Sequence, residues 1–208
     1  MKLLQTLLNK HGYNLAVDGV AGKMTLAATT SFLKSECEKR NFVFETKGLI
    51  YIRLDQNLTD TFDDICCRIN AGVVDMVTPC STTAGDYYLF NPITYNNITG
   101  TAIAKEQQVL FSHQYVTGRT WVNLWSKMPY FQQIKPIYIF RDGNKDRVLN
   151  KTHLQFGLFG INLHRGWSGA KNWNCSAGCQ IVPDVYWQEL IKIFLPGEYI
   201  GFTLMEIE

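Results

Sequence analysis

Apolar positions fall at two different spacings along the chain, and the change from one to the other divides it. Leu4, Leu7 and Leu8 recur at the spacing of one helix face, and the run ends at His11-Gly12, where glycine takes the left-handed conformation that closes a helix. Val17-Asp18-Gly19-Val20 reads as a tight turn, Gly22 opens a second helix, and Leu26, Ala27, Ala28 and Phe32 supply its buried face. From Gly48 onward short β-branched and aromatic runs dominate: LIYIRL, YYLF, PIYIF, FGINLH and EYIGFTLMEI, separated by Gly, Asn, Asp or Pro, predict strands. Two helical patterns interrupt them. TDTFDDICCRI offers Thr59 or Asp60 as an N-cap, and DVYWQELIKIFL begins at Asp184 and places Trp187, Leu190, Ile191 and Phe194 on one face. The pattern predicts an α+β protein: a small all-α module over residues 1–38, a charged connection within 35–48, and a mostly-β domain over 48–208.

Composition narrows the function classes. The 208 residues can bury a sizeable core, and 46% apolar with 13% aromatic residues is a globular composition. Twenty Lys+Arg against 18 Asp+Glu give a formal charge of +2 with no charged block, which argues against nucleic acid as a partner. No stretch is long and apolar enough to span a bilayer. Gln5, Asn9 and Lys10 interrupt the leucines of MKLLQTLLNKHGY and no small-residue cleavage site follows, so the chain reads as made in the cytoplasm without a signal peptide. The six cysteines (Cys37, Cys66, Cys67, Cys80, Cys175, Cys179) are too sparse for a disulfide scaffold, and Cys66-Cys67 read as buried small hydrophobes. Asp142, Asn144, Asp146 and Asn150 alternate as in a calcium loop. Arg147 stands where its sharp turn needs glycine and His153 where a bidentate glutamate belongs, so a hairpin turn on Asp142-Gly143 is the better reading.

In LLQTLLNKHGYNLAVDGVAGKMTLAATTSFL, the residues Leu4-Gln5, Leu8, Gly12-Tyr13, Asp18-Gly19, Gly22, Thr25, Ala28 and Phe32 match the spacing of a known module. The segment resembles the small three-helix peptidoglycan-binding module found beside many cell-wall enzymes. The stretch that usually precedes the first helix is missing, and Leu33 follows Phe32 where the family often has glutamine. The resemblance implies contact with glycan. The alternative is a helical hairpin that packs on the rest of the chain.

The chemistry concentrates in NLHRGWSGAKNWNCSAGCQIV, residues 162–182. Zinc would have Cys175, Cys179 and His164 as ligands, with His153 as a fourth that lacks paired spacing. A Cys175-Cys179 disulfide would need an oxidising compartment and would consume the best nucleophile in the chain. The nucleophile reading accounts for more residues. His164 ends an apolar run that holds its ring on a rigid strand, and Gly178 before Cys179 lets a substrate carbonyl approach the backbone amides as an oxyanion hole. A thiol with an ordinary pKa near 8.5 needs a neighbouring imidazole to take its proton at neutral pH.

A histidine followed about a dozen residues later by Ser-x-Gly-Cys resembles the signature of the L,D-transpeptidase catalytic-domain family. That resemblance implies His164 as general base, Ser176 as an orienting hydroxyl, Gly178 as the turn and oxyanion glycine, and Cys179 as nucleophile. Upstream, STTAGDYYLFNP resembles the family's Thr-x-x-Gly-x-aromatic segment, which implies substrate-binding roles for Thr83, Gly85 and Tyr87 or Tyr88. Ala177 replaces the family's second histidine, and Gln180-Ile181-Val182 lacks its usual arginine or asparagine, a charge that Arg165 could replace. Together the two resemblances imply a cysteine enzyme, free of cofactor, that acts on peptidoglycan stem peptides and glycan at the bacterial cell wall. The absent signal peptide and the order of the two parts resemble phage lytic enzymes (endolysins). A cross-linking transpeptidase, or a non-catalytic wall-binding or virion protein on the same fold, are the alternatives.

Overall fold

The computed structural model describes residues 1–54, 60–117, 128–166, 169 and 171–207. Two helices come first, α1 (Lys2–Lys10) and α2 (Lys23–Arg40). They are followed by β1 (Lys47–Arg53), β2 (Asp64–Asn70), β3 (Val73–Cys80), the one-turn helix α3 (Asp86–Phe90), β4 (Thr94–Tyr95) and β5 (Ile98–Thr99). Then come β6 (Thr101–Ala104), β7 (Gln107–Val116), β8 (Tyr130–Gln133), β9 (Ile137–Asp142), β10 (Gln155–Gly157), β11 (Leu163–Arg165), β12 (Gln180–Val182), α4 (Asp184–Ile191) and β13 (Tyr199–Glu206).

Eight strands form one sheet in the order β12-β11-β8-β7-β13-β1-β2-β3. Just past the end of β3, Ser81 pairs with Ile181 of β12 through both backbone bonds, at 2.8 and 2.9 Å, so the two edges meet and the sheet curls closed. A second sheet, β10-β9-β6, and the small β4-β5 hairpin lie beside it.

The central strands read as continuous apolar runs because both of their faces are covered. In β1, Leu49 and Tyr51 point into a core with Phe131, Phe202 and Trp187, while Ile50 and Ile52 point to the opposite face, where the helices pack. The same alternation governs β2, with Cys66 in the first cluster and Ile65, Cys67 and Ile69 in the second. This corrects one sequence expectation: residues 64–70 form a strand rather than a helix, and its doubly buried face imitates a helical apolar stripe. Of the two proposed N-caps, Thr59 lies outside the described residues, and Asp60 caps no helix at that point.

YYLF is likewise corrected from strand to helix. Gly85 opens α3 and only Leu89 and Asp86 are buried, so Tyr87 and Phe90 stay at the surface. DVYWQELIKIFL forms α4 as expected, and Trp187, Leu190, Ile191 and Phe194 are all buried. In the β9–β10 hairpin, Asp142 accepts the Asn150 amide at 2.9 Å and Asp146 accepts the Val148 amide at 2.8 Å. The loop's own N–H groups thus occupy the carboxylates that a cation would need.

The first forty residues hold two helices rather than three among the described residues. Leu4, Leu7, Leu8, Phe32 and Leu33 form one apolar cluster with Ile50, Ile52, Ile65 and Met205 of the sheet. Buried Gln5 ties the turn to both helices: its amide nitrogen donates to Asp18 at 2.7 Å and Thr25 at 3.3 Å, and its oxygen accepts the Gly19 amide at 2.8 Å. At the other end Arg40 bonds Glu36, Glu106 and, at 2.9 Å, the carbonyl of Glu206. The hairpin is therefore fastened to the sheet by apolar contact and by charge.

Candidate functional site

Cys179 ends a turn that leads into β12, at the seam where Ser81 meets Ile181. Gly178 has φ +134°, and a side chain there would place its Cβ 2.5 Å from the Ala102 carbonyl oxygen and 2.9 Å from the Ala102 Cβ, so both conformation and space demand glycine. The Ser176 hydroxyl donates to the Cys179 carbonyl at 2.8 Å and accepts the Gly178 amide at 3.0 Å. Its described contacts shape the turn rather than orient the imidazole. They also occupy the Gly178 N–H, whereas the Cys179 amide lies against its own sulfur.

β11 and β12 run parallel with Leu163 opposite Gln180 and His164 opposite Ile181. One step earlier the Gln180 amide donates to the Asn162 carbonyl at 3.1 Å, which sets Cys179 opposite Asn162. Residues two apart share a face of a strand, so the imidazole of His164 and the thiol of Cys179 belong to one face of neighbouring strands. The thiol rests between two backbone groups: it accepts the Asn162 amide and donates to the Gly160 carbonyl, each at 3.3 Å.

His164 bonds the carbonyl of Arg165 through Nδ1 at 2.7 Å. A carbonyl only accepts, so Nδ1 carries the proton and Nε2 the lone pair. Burial pushes the imidazole down to about 4, with the Arg165 charge adding to it and the carbonyl bond opposing. Burial pushes the Cys179 thiol up to about 12, against the Asn162 amide. Both groups are therefore neutral at neutral pH, and the two do not form a preformed ion pair.

The segment resembling Thr-x-x-Gly-x-aromatic lies against the same loop. The Thr83 carbonyl accepts from Asn172 Nδ2 at 3.0 Å, and the Gly85 amide donates to the Ser176 carbonyl at 3.0 Å. A Cβ on Gly85 would lie 1.8 Å from the Trp173 carbonyl oxygen, so that glycine permits the loop to close on α3. Tyr87 is 45% and Trp173 53% exposed, with ring centroids 6.5 Å apart, which leaves an aromatic pair open at the surface. Arg165 donates to Asp184 at the start of α4 at 2.7 Å, so its charge is committed within the chain. Cys175 is half-buried, with its sulfur 3.7 Å from the Arg165 carbonyl; all six cysteines are free thiols. Among the described residues no three His, Cys, Asp or Glu side chains group as metal ligands.

Several residues at the site carry no sequence signal. Asn162 and Gly160 act through backbone atoms. Asp60 accepts the Trp173 amide at 2.5 Å and the Asp86 amide at 3.1 Å, and thereby holds Trp173 at φ +47°, a conformation unfavourable for an L-residue. Only the Asp60 type, a carboxylate next to a turn, was visible beforehand, and it reads equally well as an N-cap.

No family model matches the chain, and no curated protein matches it. Among solved structures, the L,D-transpeptidase (residues 123–326) from Xylanimonas cellulosilytica DSM 15894 aligns over 99% of this chain and 92% of that one, at 14% identity and a TM-score of 0.38. An alignment this loose carries neither fold family nor activity across.

Proposed function

We propose that this protein is a peptidoglycan-acting cysteine acyl-transfer enzyme with Cys179 as nucleophile and His164 as general base. The observation that carries the reading is the shared face of His164 and Cys179 across the β11–β12 pair, with the imidazole fixed as its Nδ1–H tautomer by the Arg165 carbonyl. The polymer is named from the two sequence resemblances, and the site's proximity to the exposed Tyr87–Trp173 pair gives a peptide somewhere to rest.

In this reading His164 Nε2 takes the thiol proton as sulfur attacks the carbonyl of the diamino-acid residue in a stem peptide. The Cys179 amide faces the oxyanion that develops. When the C–N bond breaks, the leaving D-amino acid nitrogen takes the proton back from His164 and a thioester stays on Cys179. Water then yields a carboxypeptidase, or a lytic endopeptidase where the leaving amine belongs to a cross-link, and a new amine yields a cross-link. We favour hydrolysis, as in phage lytic enzymes acting at the wall, with the N-terminal helices 1–38 as the part that meets glycan.

The buried, neutral thiol favours one rival, a wall-binding or virion protein that keeps the fold without turnover. Incubation with purified stem peptides and intact-mass spectrometry separates these readings. An adduct on Cys179 together with a released D-amino acid supports the enzyme; persistent absence of adduct and release, with binding retained, supports the rival.

A further inference from the structure

Among the described residues five arginines have their charge buried or half-buried, and four of them face a carboxylate: Arg40 faces Glu36 and Glu106, Arg53 faces Glu206, Arg68 faces Asp75 and Arg165 faces Asp184. Arg141 is 6% exposed and forms no ion pair among the described residues. Its Nε donates to the Gln155 side chain at 2.9 Å and its Nη1 to the Gly100 carbonyl at 3.3 Å, both neutral acceptors. The guanidinium carbon lies 5.6 Å from the Tyr95 ring centroid and 5.4 Å from that of Phe159, and those two rings meet edge to face at 5.6 Å. Nη2 has no acceptor among the described residues and is not sealed from solvent. An enclosed cation with neutral partners and an open N–H group is a preformed anion site, because withdrawal from water is only partly offset by the rings and carbonyl.

Its position ties it to the cysteine by two routes. Arg141 pairs directly with Ala102 across β9 and β6, so the two side chains share a face, and Ala102 is the residue that abuts Gly178. On the other flank Phe159, one of the two rings beside the guanidinium, precedes Gly160, whose carbonyl accepts the Cys179 thiol.

We propose that Arg141 forms a carboxylate-binding subsite beside Cys179, holding a carboxylate of the peptide ligand through its open N–H edge. The inference rests on the reading of Cys179 as the acylated thiol, and it supplies the positive charge that Arg165, already paired with Asp184, does not. Arg141 is a binding residue here, one that fixes which carboxylate-bearing peptide is oriented for attack.

The test needs no turnover, so it can fail while the enzymatic reading stands, and the reverse. Cys179 is alkylated with iodoacetate, 3-iodopropionate and neutral iodoacetamide, and each rate is read by peptide mass spectrometry against the same reagents on a small neutral thiol. The expected result is an acid-to-amide rate ratio at Cys179 at least tenfold above that of the small thiol for one chain length. The ratio falls to the small-thiol value in Arg141→Gln and is intermediate in Arg141→Lys. If Arg141→Gln does not fold, wild-type protein decides: acetate must protect Cys179 from iodoacetamide saturably at constant ionic strength, where chloride does not. Protection by phosphate but not by acetate would mark a general oxyanion site and overturn the carboxylate assignment. Equal acid-to-amide ratios in wild type and Arg141→Gln, or no protection by acetate, overturn the proposal.

Discussion

The imidazole of His164 donates from Nδ1 to the carbonyl of Arg165, the next residue in its own strand, at 2.7 Å. The base is thus oriented by backbone, and no side-chain substitution can remove the acceptor. Replacing His164 by alanine is expected to slow acylation of Cys179 by roughly 10² to 10⁴, while His153→Ala leaves it unchanged. Single-turnover acylation measured by intact mass checks this. Equal rates in wild type and His164→Ala would remove the imidazole from the mechanism.

Cys179→Ala is expected to abolish thioester formation and leave the fold intact, since the thiol is 5% exposed and alanine fits its space with the loss of two weak contacts. Cys175→Ala should keep acylation within about a few-fold of wild type, the ordinary range for a substitution outside the reacting atoms. Alkylation of Cys179 should rise only well above the pH at which an ordinary cysteine reacts, because burial pushes its thiol up to about 12. A reactive thiolate at neutral pH in the free protein would contradict the neutral resting pair.

Acid is expected to destabilise the fold. His113 and His164 are both held by burial at about 4 against an ordinary 6.5, so the unfolded chain binds their protons first and stability falls from about pH 6.5 towards 4. Asp64 acts in the opposite sense: burial raises it from 3.8 to about 6, so its contribution grows as pH falls from 6 towards 3.8. Between these three groups the two histidines outweigh Asp64 by on the order of 2–4 kcal/mol at pH 4. Denaturant midpoints at pH 7 and 4.5 measure it, and a midpoint that rises in acid would refute it.

The helical hairpin shares its apolar cluster with the sheet, and this leads to a forecast for the excised segment 1–41: it should lose helical signal in isolation. Leu8→Ala, at a fully buried position, should cost the whole protein about 2–5 kcal/mol in one cooperative transition. A folded, stable fragment or a separate unfolding step would instead favour an independent wall-binding module.

Much of this architecture could be read from residue spacing where only one kind of burial operates. α1 and α4 carry a single apolar face, and β1, β9 and β13 carry branched runs long enough to exclude a helix; in α2 Ala28 and Phe32 are buried as expected, but Ala27 is exposed, Leu26 only half-buried, and Thr25, Thr29 and Thr30 share the buried face. β2 could not be read correctly, because Ile65, Cys66, Cys67 and Ile69 are buried on both faces and erase the alternation that marks a strand. β7 was hidden for the opposite reason: QQVLFSHQYV is rich in polar residues, and its buried members include Ser112 and His113, which bond each other at 3.0 Å, with His113 donating to the Ile161 carbonyl at 2.7 Å. At the site, the Ser-x-Gly-Cys stretch and His164 were visible by residue type. Arg141 was not, since its meaning depends on what lies across the sheet from it and on the carboxylate it lacks.

β13 is the strand that joins the two halves of the large sheet, lying between β7 and β1, yet its residues follow every other strand in the chain. Until it is in place, β1-β2-β3 and β7-β8-β11-β12 have no hydrogen-bonded link on that side, and each presents an unsatisfied edge. A chain still growing from its N-terminus therefore carries two half-sheets waiting for a common keystone. The closed sheet, with the Ser81–Ile181 seam on one side and β13 on the other, is complete only when residues 199–206 have paired with both β7 and β1.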